Sequence, residues 1–125
     1  MQLGTVYWFT GLSGAGKTTI ANAFFNIMKT INTNTVFLDG DELRYVYGAE
    51  NNYSYNERKK IALQNSRLCK LIADQNINVI CATISMFHEC YNWNRENIKN
   101  YQEIFIDVPL EIQQRDQATS FPVRW

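Results

Sequence analysis

A glycine-rich segment near the start of the chain joins an apolar run directly to an amphipathic stretch. Residues 3–10 (LGTVYWFT) are apolar and aromatic without a charge, which predicts a buried strand of a parallel sheet. Residues 18–31 place apolar side chains at mixed spacings of three and four, which predicts a packed helix. The start of the chain is therefore expected to fold as a strand, a tight loop and a helix.

The loop between them has the spacing GxxxxGK[ST]. Such glycines let backbone N–H groups point at phosphate oxygens, and the dipole of the following helix favours negative charge. In this arrangement Lys17 holds the β and γ phosphates and Thr18 coordinates Mg²⁺. An ordinary glycine-rich turn is the alternative, but Lys17 and Thr18 would have no packing role in such a turn. We predict an ATP and Mg²⁺ site that includes Gly11, Ser13, Gly14, Ala15, Gly16, Lys17, Thr18 and Thr19.

Three more apolar segments predict strands, and helical patterns separate them. The strands are residues 35–38, 77–84 and 103–108, and the helices lie within 56–75, 92–100 and, after a proline, 110–116. This alternation predicts right-handed βαβ units and a three-layer α/β/α fold with a mainly parallel sheet. In such sheets the ligand site lies beyond the carboxyl ends of the strands.

Two carboxylates follow the second predicted strand, in the triplet Asp39-Gly40-Asp41. One could hold Mg²⁺ through water while the other accepts a proton from an acceptor hydroxyl, as phosphoryl transfer requires. A solvated turn is the alternative for the isolated triplet, and the nearby phosphate loop favours the catalytic interpretation. We predict a metal site at Thr18, Asp39 and Asp41, with Lys17 and Asp41 as catalytic residues.

Composition excludes several other classes of protein. The chain has 125 residues, enough for one domain, and its 12 basic and 12 acidic residues argue against a nucleic-acid scaffold or a polybasic membrane binder. No apolar run approaches the roughly 18 residues of a spanning helix, and the start lacks a signal-peptide layout. We expect a cytoplasmic protein. Cys69, Cys81 and Cys90 lack CxxC spacing, so we expect buried, reduced thiols.

Several segments together resemble adenylyl-sulfate kinase. They are GLSGAGKTT at 11–19, LDGDELR at 38–44, YSYNER at 53–58, VICATIS at 79–85, EIFIDVPLE at 103–111 and QRD at 114–116. The resemblance implies the P-loop nucleoside-triphosphatase fold and phosphorylation of the ribose 3′-hydroxyl of adenylyl sulfate by ATP. The products would be 3′-phosphoadenylyl sulfate and ADP, in sulfate assimilation. The partner would be a small nucleotide acceptor, and the resemblance is compatible with a homodimer.

Matching positions carry over the residues of the family's site. Asp41 matches the metal-binding and acceptor-activating carboxylate, and Arg44 and Arg58 match acceptor-binding arginines, whose planar forks can grip a phosphosulfate bidentately. For the arginines the alternative is a solvated helix face. Ser85 matches a catalytic and substrate-binding serine described as a phosphoserine intermediate, although the transfer itself needs no phosphoenzyme. Arg115, in the QRD segment, is assigned to the nucleotide site.

The chain departs from the family pattern on the acceptor side. The family's Glu-Asn-Ile-Arg-Arg reads Lys-Ile-Ala-Leu-Gln at 60–64, and its Ile-Ser-Pro-Tyr-Arg reads Ile-Ser-Met-Phe-His at 84–88. Residues 86–97 (MFHECYNWNREN) resemble instead a branch associated with bacterial surface-polysaccharide synthesis, in which cytidine diphosphoramidate can be the acceptor. There Arg95 could replace a lost cation, and Phe87 or Trp93 could stack on a base, with ordinary packing as the alternative for both aromatics.

The end of the chain also departs from the family pattern, which continues after QRD with a lid and one more strand. Residues 117–125 (QATSFPVRW) show neither a helical nor a strand pattern. We expect a P-loop kinase domain at 1–116 and an atypical tail at 117–125 on a C-terminally truncated protein without the edge strand and lid. Besides a kinase for either acceptor, two functions stay open: a nucleotide-binding remnant with little transfer, and a gluconate- or shikimate-type kinase.

Overall fold

The computed structural model describes residues 2–11, 16–32, 34–51, 53–84, 86–107 and the backbone of 123–124. Strands and helices alternate along most of this length. The strands are β1 Val6–Gly11, β2 Thr35–Asp39, β3 Asn78–Ala82, β4 Tyr101–Ile106 and β5 Val123–Arg124, and the helices are α1 Lys17–Ile31, α2 Gly40–Val46, α3 Tyr55–Ala73 and α4 His88–Asn97. No helix in these ranges is both long and apolar enough to cross a membrane.

The sheet has the strand order β2-β3-β1-β4-β5. The first four strands in chain order pair in parallel, and β5 pairs antiparallel with β4. This arrangement confirms the predicted α/β fold with a mainly parallel sheet. Because Asp39 of β2 is in register with Ala82 of β3, and Gly11 of β1 with Ile106 of β4, the carboxyl ends of the four strands meet along one edge.

Helices cover both faces of the sheet, as the apolar composition of its strands requires. On one face Trp8 and Cys81 pack with Cys69 of α3 and Cys90 of α4, and all four side chains are fully buried. On the other face α1 packs against a second cluster of buried residues, namely Phe9, Ala21, Ile80, Ala82, Ile104 and Ile106. The three cysteines are buried and free, which confirms the prediction of reduced thiols.

Two elements differ from the sequence-based prediction. No helix was predicted after the second strand, but α2 starts within the Asp39-Gly40-Asp41 triplet, with Asp39 in the N-cap position. Acidic residues in the first turn stabilise such a start through the helix dipole, and only Leu43 of this helix is buried, so α2 has little apolar periodicity to detect. Helix α4 begins at His88, four residues before the predicted boundary at 92.

The end of the chain contains one further difference. The expectation that residues 117–125 contain no strand is wrong at Val123–Arg124, which pair with Phe105 and Ile106 of β4. A two-residue ladder is held by backbone hydrogen bonds along an open strand edge, so it leaves no side-chain pattern in the sequence. The helix predicted at 110–116 lies outside the described residues.

Gly11 at the end of β1 is required by its conformation and by its close neighbour. Its φ is +147°, and a Cβ there would lie 2.5 Å from the carbonyl oxygen of Ile106. We expect Gly11→Ala to lower the free energy of unfolding by about 3 kcal/mol, since a backbone atom cannot swing aside. Gly48→Ala is the control, with φ +67° and open space around the added carbon. Its expected loss is about 1 kcal/mol. Equal losses in urea denaturation would contradict the steric argument.

Candidate active site

A pocket lies at the carboxyl edge of the sheet, between the start of α1, the β2–α2 junction, α3 and the segment after β3. It brings together six residues predicted from the sequence, which are Lys17, Thr18, Asp39, Asp41, Arg44 and Arg58. Gly40, Ile61, Asn65, Ala82, Thr83, Ile84 and Phe87 complete its walls. Residues that are distant in sequence therefore meet where the ligand site of a parallel sheet is expected.

The other predicted site residues have different positions. Gly11 lines a neighbouring pocket, Gly16 is the N-cap of α1, and Thr19 is exposed on α1 away from both pockets. Ser13, Gly14, Ala15, Ser85 and Arg115 lie outside the described residues. The structure therefore places both ends of the glycine loop. The roles predicted from the sequence for the remaining positions stay predictions.

Lys17 is the first residue of α1 and is 7% exposed. Burial lowers the pKa of its ammonium group, and the carboxylates of Asp41 and Asp39 act in the opposite direction. The two carboxylates are thus close enough to stabilise the charged lysine. Helix α1 has no acidic residue in its first turn and no side-chain cap, so the positive end of its dipole is not compensated from within the helix. The combination favours an anionic ligand beside Lys17.

Asp39 and Asp41 occupy the junction between β2 and α2. Asp39 ends the strand in an extended conformation, and Asp41 follows in the first turn of α2, where its side chain is exposed. In the described part of the chain, no group of three or more His, Cys, Asp or Glu side chains forms a metal cluster. Mg²⁺ typically uses one or two carboxylates together with phosphate oxygens and water. The two carboxylates and the Thr18 hydroxyl fit that type of site.

Two arginines also line the pocket, Arg44 from α2 and Arg58 from α3, and an aromatic ring packs against each. The guanidinium of Arg44 lies 4.8 Å from the ring centre of Tyr53, and that of Arg58 lies 6.0 Å from the ring centre of Phe87. The Phe87 ring in turn meets Tyr55 edge to face at 5.3 Å. These contacts restrict both arginine side chains, and a planar guanidinium is suited to binding an anion through two hydrogen bonds.

The capping of α3 fixes the position of Arg58. The side chain of Ser54 accepts a hydrogen bond of 3.2 Å from the backbone N–H of Glu57, so the helix begins just before Arg58. An ion pair of 2.6 Å between Lys59 and Glu89 connects α3 to α4. Between these helices and Gly11 lies a second, adjoining pocket that Arg58, Tyr55, Ile84, Met86, Phe87 and His88 help to line. Arg58 therefore borders both pockets.

The three residues of segment 86–97 that were considered for acceptor binding have different positions in the structure. Phe87 lines both pockets, so a contact with a ligand is open to it. Trp93 packs against the core, with the guanidinium of Arg67 6.0 Å from its ring centre, as the packing alternative predicts. Arg95 pairs with Glu103 of β4 and lines neither pocket. Arg95 is thus not placed to replace a lost acceptor cation.

Sequence reasoning missed two residues on the α3 wall of the pocket, Ile61 and Asn65. With Arg58 they stand at helix positions i, i+3 and i+7, which share one face of a helix. That spacing, anchored on Arg58, is the signal that could have found them.

A parallel sheet of this order, with a glycine loop and a lysine at the start of the following helix, defines the class of P-loop nucleoside-triphosphate-binding α/β proteins. Within this class, the family model for adenylylsulphate kinase matches residues 3–121. The chain belongs to the adenylylsulphate kinase family.

Two similar relatives have names that refer to different substrates. The chain is 44% identical over 115 residues to the cytidine diphosphoramidate kinase of Campylobacter jejuni subsp. jejuni serotype O:2, covering 90% of this chain and 66% of that protein. It is 38% identical over 117 residues to the adenylyl-sulfate kinase of Clostridium acetobutylicum, covering 92% of this chain and 58% of that protein. The chain thus spans less than two thirds of the length of both relatives.

A solved structure supports the same family. The Mycobacterium tuberculosis APS kinase CysC in complex with AMPPNP and APS is similar to this chain with a TM-score of 0.77 and 29% sequence identity. The similarity covers 92% of this chain and 69% of that one. The fold described above is therefore the fold of an APS kinase over most of the chain.

Proposed function

We propose that this chain is a kinase that transfers a phosphoryl group from Mg-ATP to a hydroxyl group of a nucleotide-linked acceptor. The observation that carries the proposal is the position of Lys17, which is buried and lines one pocket together with Asp39, Asp41 and two arginines. Phosphoryl transfer depends mainly on positioning and on electrostatic stabilisation of the transferring group. A buried cation, two carboxylates and two arginines supply these requirements.

The donor side of the proposed site is the start of α1. The backbone of Gly11, Ser13, Gly14, Ala15 and Gly16 surrounds the ATP phosphates, and Lys17 contacts the β and γ phosphates. Thr18 and Asp39 hold Mg²⁺, which when bound neutralises part of the phosphate charge. We assign Thr19 and Arg115 to nucleotide binding. The AMPPNP complex of the M. tuberculosis relative supports ATP as the donor.

The acceptor side of the proposed site is formed by α2, α3 and the segment after β3. Asp41 accepts the proton of the attacking hydroxyl, which its exposed position at the mouth of the pocket permits. Arg44 and Arg58 bind the anionic linkage of the acceptor, since both residues line the same pocket. Ser85 is assigned to the same acceptor side, as a binding residue rather than a phosphorylated intermediate.

Two acceptors have support from particular observations. Adenylyl sulfate is favoured by the family match over residues 3–121. Cytidine diphosphoramidate is favoured by the 44% identical C. jejuni relative and by the departures on the acceptor side. Ile61 occupies the pocket where the family pattern has an asparagine, so the acceptor meets an apolar wall there.

The test is a single assay with Mg-ATP in which adenylyl sulfate, cytidine diphosphoramidate and gluconate are offered separately and ADP release is measured. We expect ADP release with one of the two nucleotides and none with gluconate. The Lys17→Ala protein, purified in the same way, excludes a contaminating kinase. Nucleotide binding without transfer to any acceptor would overturn the proposal in favour of the nucleotide-binding alternative, and transfer to gluconate alone would favour a small-metabolite kinase.

A further inference from the structure

A buried amide, that of Asn65, lies in the α3 wall of the pocket. Asn65 of α3 is 1% exposed, yet it lines the pocket together with Arg58, Lys17 and Asp41. A carboxamide has two hydrogen-bonding ends, and both normally find partners when they are buried. The partners of Asn65 therefore indicate what it does in the site.

The oxygen end of Asn65 is occupied by Tyr47. The Tyr47 hydroxyl donates a hydrogen bond of 2.9 Å to Asn65 Oδ1, from the residue that follows α2. Burial raises the pKa of Tyr47, so its hydroxyl stays protonated and able to donate at neutral pH. This bond fixes the orientation of the amide, with the oxygen towards Tyr47 and the NH₂ group as the remaining end.

In the described part of the chain the hydrogen bond from Tyr47 is the one that Asn65 makes through its side chain, which leaves the nitrogen end as a donor for a ligand. The residues around Asn65 in the pocket belong to two parts of the proposed site, the ATP side and the side of the phosphoryl acceptor. Lys17 and Thr18 belong to the start of α1, whereas Arg58 and Ile61 share with Asn65 one face of α3. A molecule bound against α3, next to Arg58, is the one that Asn65 would contact.

We propose that Asn65 is a specificity-determining residue for the acceptor, to which its Nδ2 donates a hydrogen bond at an oxygen atom of the nucleotide, and that Tyr47 is the residue that positions it. This inference rests on the proposed function. It also accounts for the apolar side chain of Ile61. The family pattern has an amide at position 61, and this chain has one at Asn65 instead, a single helical turn further along the same face.

The test compares Asn65→Asp with the control Asn56→Asp, which is exposed on the same helix and outside both pockets. Asn65→Asp keeps an oxygen for Tyr47 and replaces the donor by a negative charge. We expect its acceptor KM to rise about 100-fold and its ATP KM to change less than about twofold, because the proposed hydrogen bond is made to the acceptor and not to ATP. Tyr47→Phe is expected to raise the acceptor KM about tenfold, and Asn56→Asp to change neither constant.

A binding measurement keeps this inference separate from the proposed function. Each acceptor nucleotide is titrated by calorimetry into the protein saturated with Mg-ADP. Acceptor binding that weakens in Asn65→Asp, without transfer in the wild type, overturns the kinase proposal and supports the role of Asn65. Transfer that is unchanged in Asn65→Asp supports the kinase proposal and overturns the role of Asn65. Equal rises of both KM values indicate a structural role and overturn the inference, and a wild type that binds neither nucleotide overturns both.

Folding of the variants is checked by circular dichroism before the kinetic comparison. If Asn65→Asp does not fold, Asn65→Ala removes the donor without burying a charge. It is expected to raise the acceptor KM about tenfold at an unchanged ATP KM. An unchanged acceptor KM in that folded variant overturns the inference.

Discussion

Lys17→Ala is expected to lower the rate of phosphoryl transfer by at least about two orders of magnitude, because it removes a preorganised cation from the transferring phosphate. The lysine is 7% exposed, so water does not readily replace its charge. Its loss also leaves the carboxylates of Asp39 and Asp41 without the cation that they stabilise in the wild type. Both effects disfavour the bound triphosphate and the transition state.

The measurement is kcat and kcat/KM with the acceptor identified by the side-by-side assay. Lys29→Ala is the matched control, since Lys29 is exposed in the last turn of the same helix, where its ammonium lies 5.2 Å from the ring centre of Phe25. The control is expected to retain wild-type kcat. A Lys17→Ala protein that is folded and transfers phosphate at the wild-type rate would contradict the assignment.

The donor side of this site was predictable because its information is local in the sequence. The glycines, Lys17 and Thr18 lie within eight consecutive residues, between a charge-free strand and a periodic helix. The central strands were predictable for the same reason: burial on both faces of a parallel sheet demands continuous apolar runs. The observed strands β1 to β4 accordingly overlap the predicted ones, with ends displaced by up to three residues.

The acceptor side was less predictable because its contacts join distant parts of the chain. Tyr47 and Asn65 are 18 residues apart, and neither belongs to a motif. Phe87 and Trp93 are both aromatic residues of one segment, but only the first lines the pockets, because it precedes α4 while the second packs on the core side of that helix. Side-chain direction on a helix depends on where the helix starts, and the predicted start of α4 was four residues late.

The departures from the family pattern gain a physical meaning when they are placed on the helix. Ile61 and Asn65 are one turn apart on the α3 wall. The apolar Ile61 stands where the family pattern has an asparagine, and Asn65 supplies an amide one turn away. The pocket keeps Arg44 and Arg58, and under the proposed function its other lining residues would present a different pattern of hydrogen-bond donors to an acceptor. A change of acceptor requires such a change of pattern, because specificity depends on which polar groups are left unpaired by the wrong substrate.

Asp41→Asn is expected to lower kcat by about two to three orders of magnitude, because an amide cannot accept the proton of the attacking hydroxyl. The substitution keeps the size of the side chain and its place in the first turn of α2. It also removes the carboxylate that raises the pKa of Lys17 most strongly, so the lysine pKa in the variant should fall further below its usual value. The ammonium would then lose its proton at lower pH, and the loss of activity should deepen as the pH rises.

Glu42→Gln provides the control for this variant. Glu42 is the next residue of α2, is also exposed and lines neither pocket, so the same change of charge there should leave kcat within about twofold of wild type. Binding of ATP, measured by calorimetry at a pH where Lys17 stays charged, should be nearly unchanged in both variants, since Lys17 and the glycine loop hold the phosphates. If Asp41→Asn kept wild-type kcat at every pH, Asp41 could not be the proton acceptor. The acceptor hydroxyl would then lose its proton to another group, with Asp39, on the same pocket wall, as the next carboxylate to substitute.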